Sequence, residues 1–249
     1  MITDSFDNKT QPILTLKDFY GERKHLVDIC LITFSKNIYD YILSAFHCEK
    51  ITEIKACNGN TPIYKFSYQG TDIAFYLSPV GSTAAAHFSI EANWLTGASK
   101  FIMFGSAGSL DGEKTSNKYV IPTEAYRDEG MSYHYAPPSD YIKVKNSDRI
   151  KSLFDMWNIP NIQGRIWTTD AMLRETVGQV ALRRNEGCIA VEMEVAGVQA
   201  VCDFYNFELY NFLVTGDVLC EGNYDKSQLS GANHNLDKLQ IALKLAIHI

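Results

Sequence analysis

The sequence predicts a three-layer α/β sandwich, and two features of the chain indicate this fold class. Short apolar runs alternate with segments of helical periodicity, which is typical of a sheet covered by helices. No Gly/Ser-rich or Pro-rich linker and no internal repeat interrupts the 249 residues. We therefore expect one domain, residues 1–249, in which residues 1–25 form an N-terminal extension.

Buried strands are predicted where short apolar runs occur between turn signals. Gln69-Gly70 separates two of these runs and predicts a hairpin. We expect the strand 101–104 to be followed by a turn that begins at Gly105. The predicted strands are 28–34, 63–68, 73–77, 101–104, 119–122, 164–167, 188–191 and 210–214.

Helices are predicted where apolar residues recur at helical spacing. An Ala-rich segment covers 82–95, and a second stripe begins near Ser147, which we expect to be an N-cap. The last helix of the chain is amphipathic, with Leu236, Leu239, Leu243 and Ala246 on one side. The remaining predicted helices are 177–184 and 195–204.

The composition excludes several classes of function. The formal net charge is -6 and no basic block occurs, so nucleic acid is not an expected partner. No apolar run reaches the ~20 residues of a membrane-spanning helix, and residues 1–11 do not resemble a signal peptide. Six scattered cysteines without a CxxC pair indicate reduced thiols and a cytoplasmic protein. No side-chain spacing matches a metal site, so we expect neither a metal nor a cofactor.

Two carboxylates directly follow the predicted strand 188–191. An ionised carboxylate can accept hydrogen bonds from two neighbouring sugar hydroxyls, and Glu194 is the candidate for this role. Met193 beside it offers a soft apolar contact. The alternative is that Glu192 and Glu194 only occupy the first turn of a helix, where the helix dipole favours acids.

A third carboxylate, Asp217, follows the predicted strand 210–214. Open α/β sheets bind ligands at the carboxyl ends of their strands, so we expect Asp217 near the two glutamates. A carboxyl whose pKa is raised by its surroundings can protonate a base that leaves in N-glycoside cleavage. The alternative is an Asp that caps a turn after a strand.

Small residues, hydroxyls and one Met mark three other strand ends. Gly105 and Ser106 end one strand, Gly81 precedes a helix, and Thr169 and Met172 follow another strand. Backbone N–H groups beside glycines and the Ser106 hydroxyl can approach an anion or a base. Met172 can pack on a flat base, although plain tight turns are the alternative for all of these segments.

The polar segments 128–140 and 220–235 are predicted to be long loops, which are often functional. The first contains Tyr133, His134 and Tyr135 without a periodicity that would bury them. Because aromatic residues are enriched at interfaces, we expect a homo-oligomer, at least a dimer, with this loop at a subunit boundary. The alternative is a lid over the chain's own pocket.

Five short segments of the chain resemble those of the nucleoside phosphorylase/nucleosidase superfamily, which includes purine nucleoside and uridine phosphorylases. The resemblance implies a central mixed sheet, partly closed into a barrel and flanked by helices. It implies that Glu194 binds ribose hydroxyls and that Glu192 and Met193 line the sugar site. It also implies that Ser106 contacts an anion or ribose and that Asp217 assists departure of the base. The matched segments are 78–81, 104–108, 169–170, 191–194 and 216–217.

The resemblance favours a phosphorylase that cleaves a purine nucleoside with phosphate as co-substrate, giving a free base and ribose 1-phosphate. The family's usual phosphate arginines have no match, and Phe104 stands at one of their positions. Ser106, Lys36 and Arg127 are the remaining candidates to bind phosphate. The alternatives are a hydrolytic nucleosidase, a uridine-type phosphorylase and a nucleoside-binding homologue with impaired catalysis. Arg174 and Glu175 are interpreted as a pair of exposed surface residues.

Overall fold

Eleven strands form one mixed sheet in the computed structural model, which describes residues 1–220 and 223–249. The strands are β1 (Ile29–Thr33), β2 (Glu49–Ile54), β3 (Thr61–Tyr68), β4 (Thr71–Leu77), β5 (Lys100–Ser109), β6 (Tyr119–Asp128), β7 (Tyr141–Lys143), β8 (Asn161–Thr169), β9 (Cys188–Glu192), β10 (Glu208–Cys220) and β11 (Asn223–Asp225).

Five of these strands close into a barrel. The ring runs from β10 through β6, β8 and β9 to β5, and β5 pairs with β10 again. Beyond the barrel, the sheet continues from β5 to β1 and β4 in parallel and then to β3 and β2 in antiparallel pairing. The predicted mixed sheet, partly closed into a barrel, is confirmed.

Helices cover both faces of the sheet, which confirms the predicted layering. Apolar residues of α3 and α8 pack on one face, and those of α2, α6 and α10 pack on the other. No described helix is long and apolar enough to cross a membrane. The helices are α1 (Leu16–Tyr20), α2 (Lys36–Ala45), α3 (Ser82–Thr96), α4 (Gly112–Thr115), α5 (Ser132–Tyr135), α6 (Ser147–Met156), α7 (Val177–Asn185), α8 (Val195–Tyr205), α9 (Leu229–His234) and α10 (Asp237–Ala246).

Several strands are longer than the sequence predicts, and the extensions of β5 and β10 change the position of predicted site residues. β5 continues through Gly105 to Ser109, so the expected turn at Gly105 is wrong. β10 continues past Val214, so Asp217 lies within a strand, next to a register shift, and not at its exit. Barrel closure explains both differences, because β5 and β10 supply each other with hydrogen-bonding partners along this extra length.

Smaller corrections concern caps and loops. Asn146, not Ser147, precedes the first residue of α6. Helix α2 and strand β2 were not predicted at all. The segments expected to be long loops contain short elements, which are α5 in the first and β11 and α9 in the second. Glu221 and Gly222, which belong to the second of these segments, lie outside the described residues.

The aromatic loop 128–140 packs on its own chain. The Tyr135 ring contacts the rings of Phe204 and Tyr205 at the end of α8. Tyr133 donates a hydrogen bond of 3.1 Å from its hydroxyl to the carbonyl of Arg127. The two tyrosines therefore have packing partners in their own chain, whereas His134 is exposed, and a subunit boundary at this loop stays a prediction.

Close approach of α3 and α8 depends on Gly197. A Cβ atom at this position would overlap the Ser82 hydroxyl and lie 3.3 Å from Cβ of Met131. We expect Gly197→Ala to lower the free energy of unfolding by about 1–3 kcal/mol, the usual cost of overpacking. In a chain of this length, each kcal/mol shifts the melting temperature by roughly 2–4 °C.

The control is Gly178→Ala in α7, where an added Cβ would meet nothing within 4 Å. Replacing glycine by alanine in an uncrowded helix stabilises by roughly 0.5–1 kcal/mol, so this variant is expected to melt slightly higher than the wild type. Thermal denaturation followed by circular dichroism measures both changes. Similar melting temperatures for the two variants would contradict the packing argument.

Candidate active site

A cavity of about 370 Å³ opens where the barrel strands β5, β9 and β10 meet the end of β1. Its lining is rich in carboxyl, hydroxyl and amide groups, and it also contains one buried lysine. The polar residues that line it are Thr33, Ser35, Ser106, Glu175, Glu192, Glu194, Asn211, Asp217, Tyr224, Asn233, His234 and Lys238.

Glu192 anchors the start of α8. One carboxylate oxygen accepts hydrogen bonds from the backbone N–H groups of Glu194 at 2.6 Å and Val195 at 2.8 Å. The other oxygen accepts from the hydroxyl of Thr168. Burial, and then the neighbouring Glu194, raise the pKa of Glu192. Both oxygens are therefore committed to the protein, and Glu192 holds Glu194 in place.

Glu194 is buried against the start of α3. Its Oε1 atom accepts a hydrogen bond of 2.7 Å from the backbone N–H of Gly81. Gly81 has a φ of +108°, a conformation that favours glycine, and this conformation precedes the first residue of α3. Burial raises the pKa of the Glu194 carboxyl. Because Glu194 also lines the cavity, its carboxyl can accept hydrogen bonds from a ligand.

Asp217 lies over Gly108, on the paired strand. A Cβ atom on Gly108 would be 3.5 Å from the Asp217 Oδ1 atom and only 2.6 Å from Leu219, so the missing side chain makes room for both. Burial raises the pKa of the Asp217 carboxyl, and the hydroxyl of Tyr224 partly opposes this rise. Asp217 therefore lines the cavity with a carboxyl that retains its proton to a higher pH than an exposed aspartate.

Glu175 reaches the same part of the cavity from the segment between β8 and α7. Burial, and then the charge of Asp217, raise the pKa of Glu175 to about 7. Met172, from the same segment, lines the cavity and remains partly exposed at its mouth. We call Glu175, Asp217 and Tyr224 the carboxyl end of the cavity.

Neutral and basic groups form another part of the cavity, here called the acceptor end, comprising Thr33, Ser35, Ser106, Asn233, His234 and Lys238. The Ser106 hydroxyl donates to the side-chain oxygen of Asn233. The Ser35 hydroxyl and the Nδ1 atom of His234 lie 2.9 Å apart. These contacts attach α9 to the loop after β1 and to β5.

Lys238 is the buried cation of the acceptor end, with 1% of its surface exposed. Its ammonium group donates hydrogen bonds to the backbone carbonyls of Ala232 and Asn233. Burial lowers the pKa of Lys238 to about 8.

Asn211, which also lines the cavity, is fully buried. Its side-chain amide donates a hydrogen bond of 2.9 Å to the carbonyl of Met103, and its side-chain oxygen has no partner. A ligand hydroxyl or water would satisfy this oxygen.

The sequence profile of the phosphorylase superfamily matches residues 28–248. The chain belongs to the phosphorylase superfamily. The match covers every cavity residue described above and begins just after the extension predicted for residues 1–25.

Curated relatives in this superfamily are distant in sequence. The DeoD-type purine nucleoside phosphorylases of Bacillus cereus and Bacillus thuringiensis are each 22% identical over 184 residues, which is 73% of this chain and 78% of theirs.

Solved structures support the fold. The 5'-methylthioadenosine/S-adenosyl homocysteine nucleosidase of Campylobacter jejuni is 18% identical, with a TM-score of 0.71 over 90% of this chain and 100% of that one. A futalosine hydrolase mutant of Helicobacter pylori is 17% identical, with a TM-score of 0.69 over 88% and 100%. At these identities, the similarity establishes a shared fold.

Most of the site residues predicted in this phosphorylase-superfamily chain come together. Those that line the cavity are Gly105, Ser106, Met172, Glu192, Met193, Glu194 and Asp217. Gly81 contributes through its hydrogen bond to Glu194. Thr169 does not line the cavity. Its hydroxyl donates a hydrogen bond of 3.1 Å to the carboxylate of Asp128, at the end of β8.

The two cations proposed from the sequence as phosphate ligands do not reach the cavity. Lys36 forms an exposed ion pair of 2.6 Å with Asp40, one turn later in α2. Arg127 is buried, but its guanidinium donates to Ser132, to Ser139 and to loop carbonyls, and it stacks on Tyr133. Its donors hold the aromatic loop together, so neither residue is available to an anion in the cavity.

Sequence reasoning missed Lys238 and Glu175, although one signal for Lys238 was present. Lys238 precedes Ile241, Ala242 and Leu245 at spacings of three, four and seven, and all three are buried. A lysine in such a row must be buried with the apolar residues. Glu175 carried no comparable signal, and only the cavity distinguishes it from an exposed acid. No group of His, Cys, Asp and Glu in the described residues is arranged to hold a metal.

The buried Glu192 makes stability depend on pH. A carboxyl whose pKa is raised on folding stabilises the fold below its ordinary pKa of 4.5, and this contribution is lost as the pH rises through the raised value. We expect Glu192→Gln, which keeps an acceptor for the N–H groups of α8, to weaken the fall in melting temperature between roughly pH 5 and pH 8.5. Each pKa unit is worth about 1.4 kcal/mol.

The matched control is Glu113→Gln, because Glu113 is exposed on α4. Melting curves at several pH values compare the wild type with both variants. The assignment is wrong if Glu192→Gln retains the pH dependence of the wild type.

Proposed function

We propose that the protein cleaves the N-glycosidic bond of a purine nucleoside with phosphate, releasing the free base and ribose 1-phosphate. One observation carries this proposal, which is that a single cavity contains the carboxyls of Glu194 and Asp217 and the buried cation Lys238. These three groups match the sugar, the leaving base and the anionic acceptor.

The sugar and the base meet different carboxyl groups. Glu194, ionised, accepts hydrogen bonds from the two cis hydroxyls of ribose. Asp217, protonated, donates to N7 of the purine as the bond between C1' and N9 breaks and its electron pair passes to the base. Met172 and Met193 pack on the base and on the sugar. The raised pKa of Asp217 supports this division, because a carboxyl that acts as a general acid must retain its proton to a higher pH than an exposed aspartate does.

The acceptor end favours phosphate over water. A phosphate oxygen attacks C1' as the base leaves, and the anion needs cationic and hydroxyl donors around it. Lys238, Ser106 and Ser35 supply such donors, while the oxygen of Asn211 accepts from a protonated phosphate oxygen. None of the residues that define this end is a carboxylate, which would repel a dianion.

Hydrolysis is the second candidate, and one observation favours it. The 2.9 Å contact between Ser35 and His234 could orient and polarise a water molecule at the acceptor end. The similar solved structures named above are a nucleosidase and a hydrolase. In that case, the product would be free ribose in place of ribose 1-phosphate.

The proposal includes assembly into a homo-oligomer. Val80, Met172, Leu173 and Val177 are more than half exposed, and two of them line the cavity. A second copy of the chain would cover this apolar surface. Light scattering over a range of protein concentrations is expected to give at least a dimer, and a monomer at micromolar concentration with full activity would exclude assembly.

Phosphate dependence tests the reaction. We expect base release from a purine nucleoside to require phosphate and to yield ribose 1-phosphate, measured by separating the products. Lys238→Met is expected to raise the KM for phosphate by roughly 10–150-fold, because a hydrogen bond to a charged group is worth about 1.5–3 kcal/mol. The KM for the nucleoside should change much less.

Lys244→Met is the matched control, because Lys244 lies on the same helix and is exposed. Its KM for phosphate should equal that of the wild type. Turnover at the full rate without phosphate would replace phosphorolysis by hydrolysis. Ligand binding without any product would indicate a binding protein.

A further inference from the structure

Glu129, a buried acid of the aromatic loop, binds the start of α3. One of its carboxylate oxygens accepts hydrogen bonds of 3.0 Å from the hydroxyl of Ser82, the first residue of α3, and from the backbone N–H of Ser132. The other oxygen accepts from the hydroxyl of Ser132. Glu129 therefore cross-links the loop to a residue that lies 47 positions away in the chain.

This cross-link is buried at both ends, and Arg127 supports it on the loop side. Ser82 and Ser132 are fully buried. The Nε atom of Arg127 donates a hydrogen bond of 2.8 Å to the hydroxyl of Ser132. A buried carboxylate is unfavourable unless donors surround it, and its hydrogen bonds are stronger there than in water. We therefore expect the loop and the start of α3 to move together.

The start of α3 in turn orients Glu194. Gly81, which directly precedes Ser82, donates the hydrogen bond of 2.7 Å to the Oε1 atom of Glu194. Glu194 itself precedes the first residue of α8, so this bond joins the starts of two helices. The loop also packs on α8, because a Cβ atom on Gly197 would lie 3.3 Å from Cβ of Met131. The loop therefore contacts both helices whose separation sets the bond between Gly81 and Glu194.

We propose that Glu129 is a positioning residue for Glu194, so that the aromatic loop sets how tightly the site binds ribose. None of the residues 128–140, all within the described part of the chain, lines the cavity, so the loop acts through Ser82 and Gly81. Without the cross-link, the N–H of Gly81 is free to shift, and the Glu194 carboxylate loses the orientation in which it accepts from the sugar hydroxyls. This inference rests on the proposed function, which assigns Glu194 to ribose.

The test is Ser82→Ala, which removes only the hydroxyl that binds Glu129. We expect the KM for a purine nucleoside to rise by roughly 2–30-fold, the usual size of an indirect coupling, while kcat and the KM for phosphate change much less. The control is Ser89→Ala, because Ser89 is a fully buried serine of the same helix whose hydroxyl donates 2.7 Å to the carbonyl of Ala86 within α3. Each variant loses one buried hydroxyl, so a merely structural role would affect both alike. Equal nucleoside KM values for the two variants would overturn the inference.

A double-mutant cycle tests whether the loop acts through Ser82. Glu129→Ala removes the loop side of the cross-link and should raise the same KM. Adding Ser82→Ala to Glu129→Ala should then cause little further increase, because the two residues share one interaction. Independent effects that multiply would contradict the inference. If Glu129→Ala does not fold, the comparison of Ser82→Ala with Ser89→Ala decides alone.

Failure of the proposed function is distinguishable from failure of this inference. If base release needs no phosphate, the proposed reaction is wrong, but the KM for the nucleoside still tests the role of Glu129. If no base is released at all, calorimetry with adenosine and with adenine, which lacks the ribose, replaces the kinetics. Weaker binding of adenosine but not of adenine in Ser82→Ala, relative to Ser89→Ala, would support the inference. Equal losses for both ligands, or a wild type that binds neither, would overturn it.

Discussion

The pairing of β10 with β5 is the constraint on which the rest of the site depends. This seam closes the barrel and runs in parallel from Glu208 opposite Lys100 to Val218 opposite Ser109. Its register shifts between Thr215 and Asp217, and Asp217 comes to lie beside Gly108. Gly108 in turn pairs with Val191 of β9, so the strand that ends in Glu192 meets the same point. Three carboxylates therefore approach one cavity because three strands meet at one glycine.

Four carboxyls line this cavity, and their surroundings give them different chemistry. Glu192 is saturated by backbone N–H groups and a hydroxyl, so it supports the structure. Glu194 receives one backbone N–H and still faces the cavity. Burial raises the pKa of both Asp217 and Glu175, and the charge of Asp217 raises that of Glu175 further, so these two carboxyls retain a proton more readily than exposed acids. Hydrogen-bond donors and burial thus give four carboxyl groups different surroundings, so that one is fully committed to the protein and the others remain open to the cavity.

The C-terminal segment completes the site from outside the barrel. α9 lies close to β10 because Gly216 has no side chain, and a Cβ there would be 2.8 Å from Cβ of Ala232. Lys238 then binds the carbonyls at the end of α9, which keeps Asn233 on Ser106 and His234 on Ser35. A buried lysine thereby connects the last helix of the chain to the first loop of the sheet. The acceptor end exists only when both are in place.

The sequence by itself determined the α/β class, most of the strands and helices, the family and the segment of Glu192 and Glu194. These features follow from local periodicity and from residues adjacent in the chain, which a sequence displays directly. It did not reveal that Asp217 lies within a strand, that Arg127 is occupied by its own loop, or that Glu175 and Lys238 face the cavity. Only the tertiary structure decided those points, because each depends on barrel closure and on packing between segments far apart in the chain. Glu175 and Asp217 are separated by two helices and a strand, and only folding brings them to the same cavity.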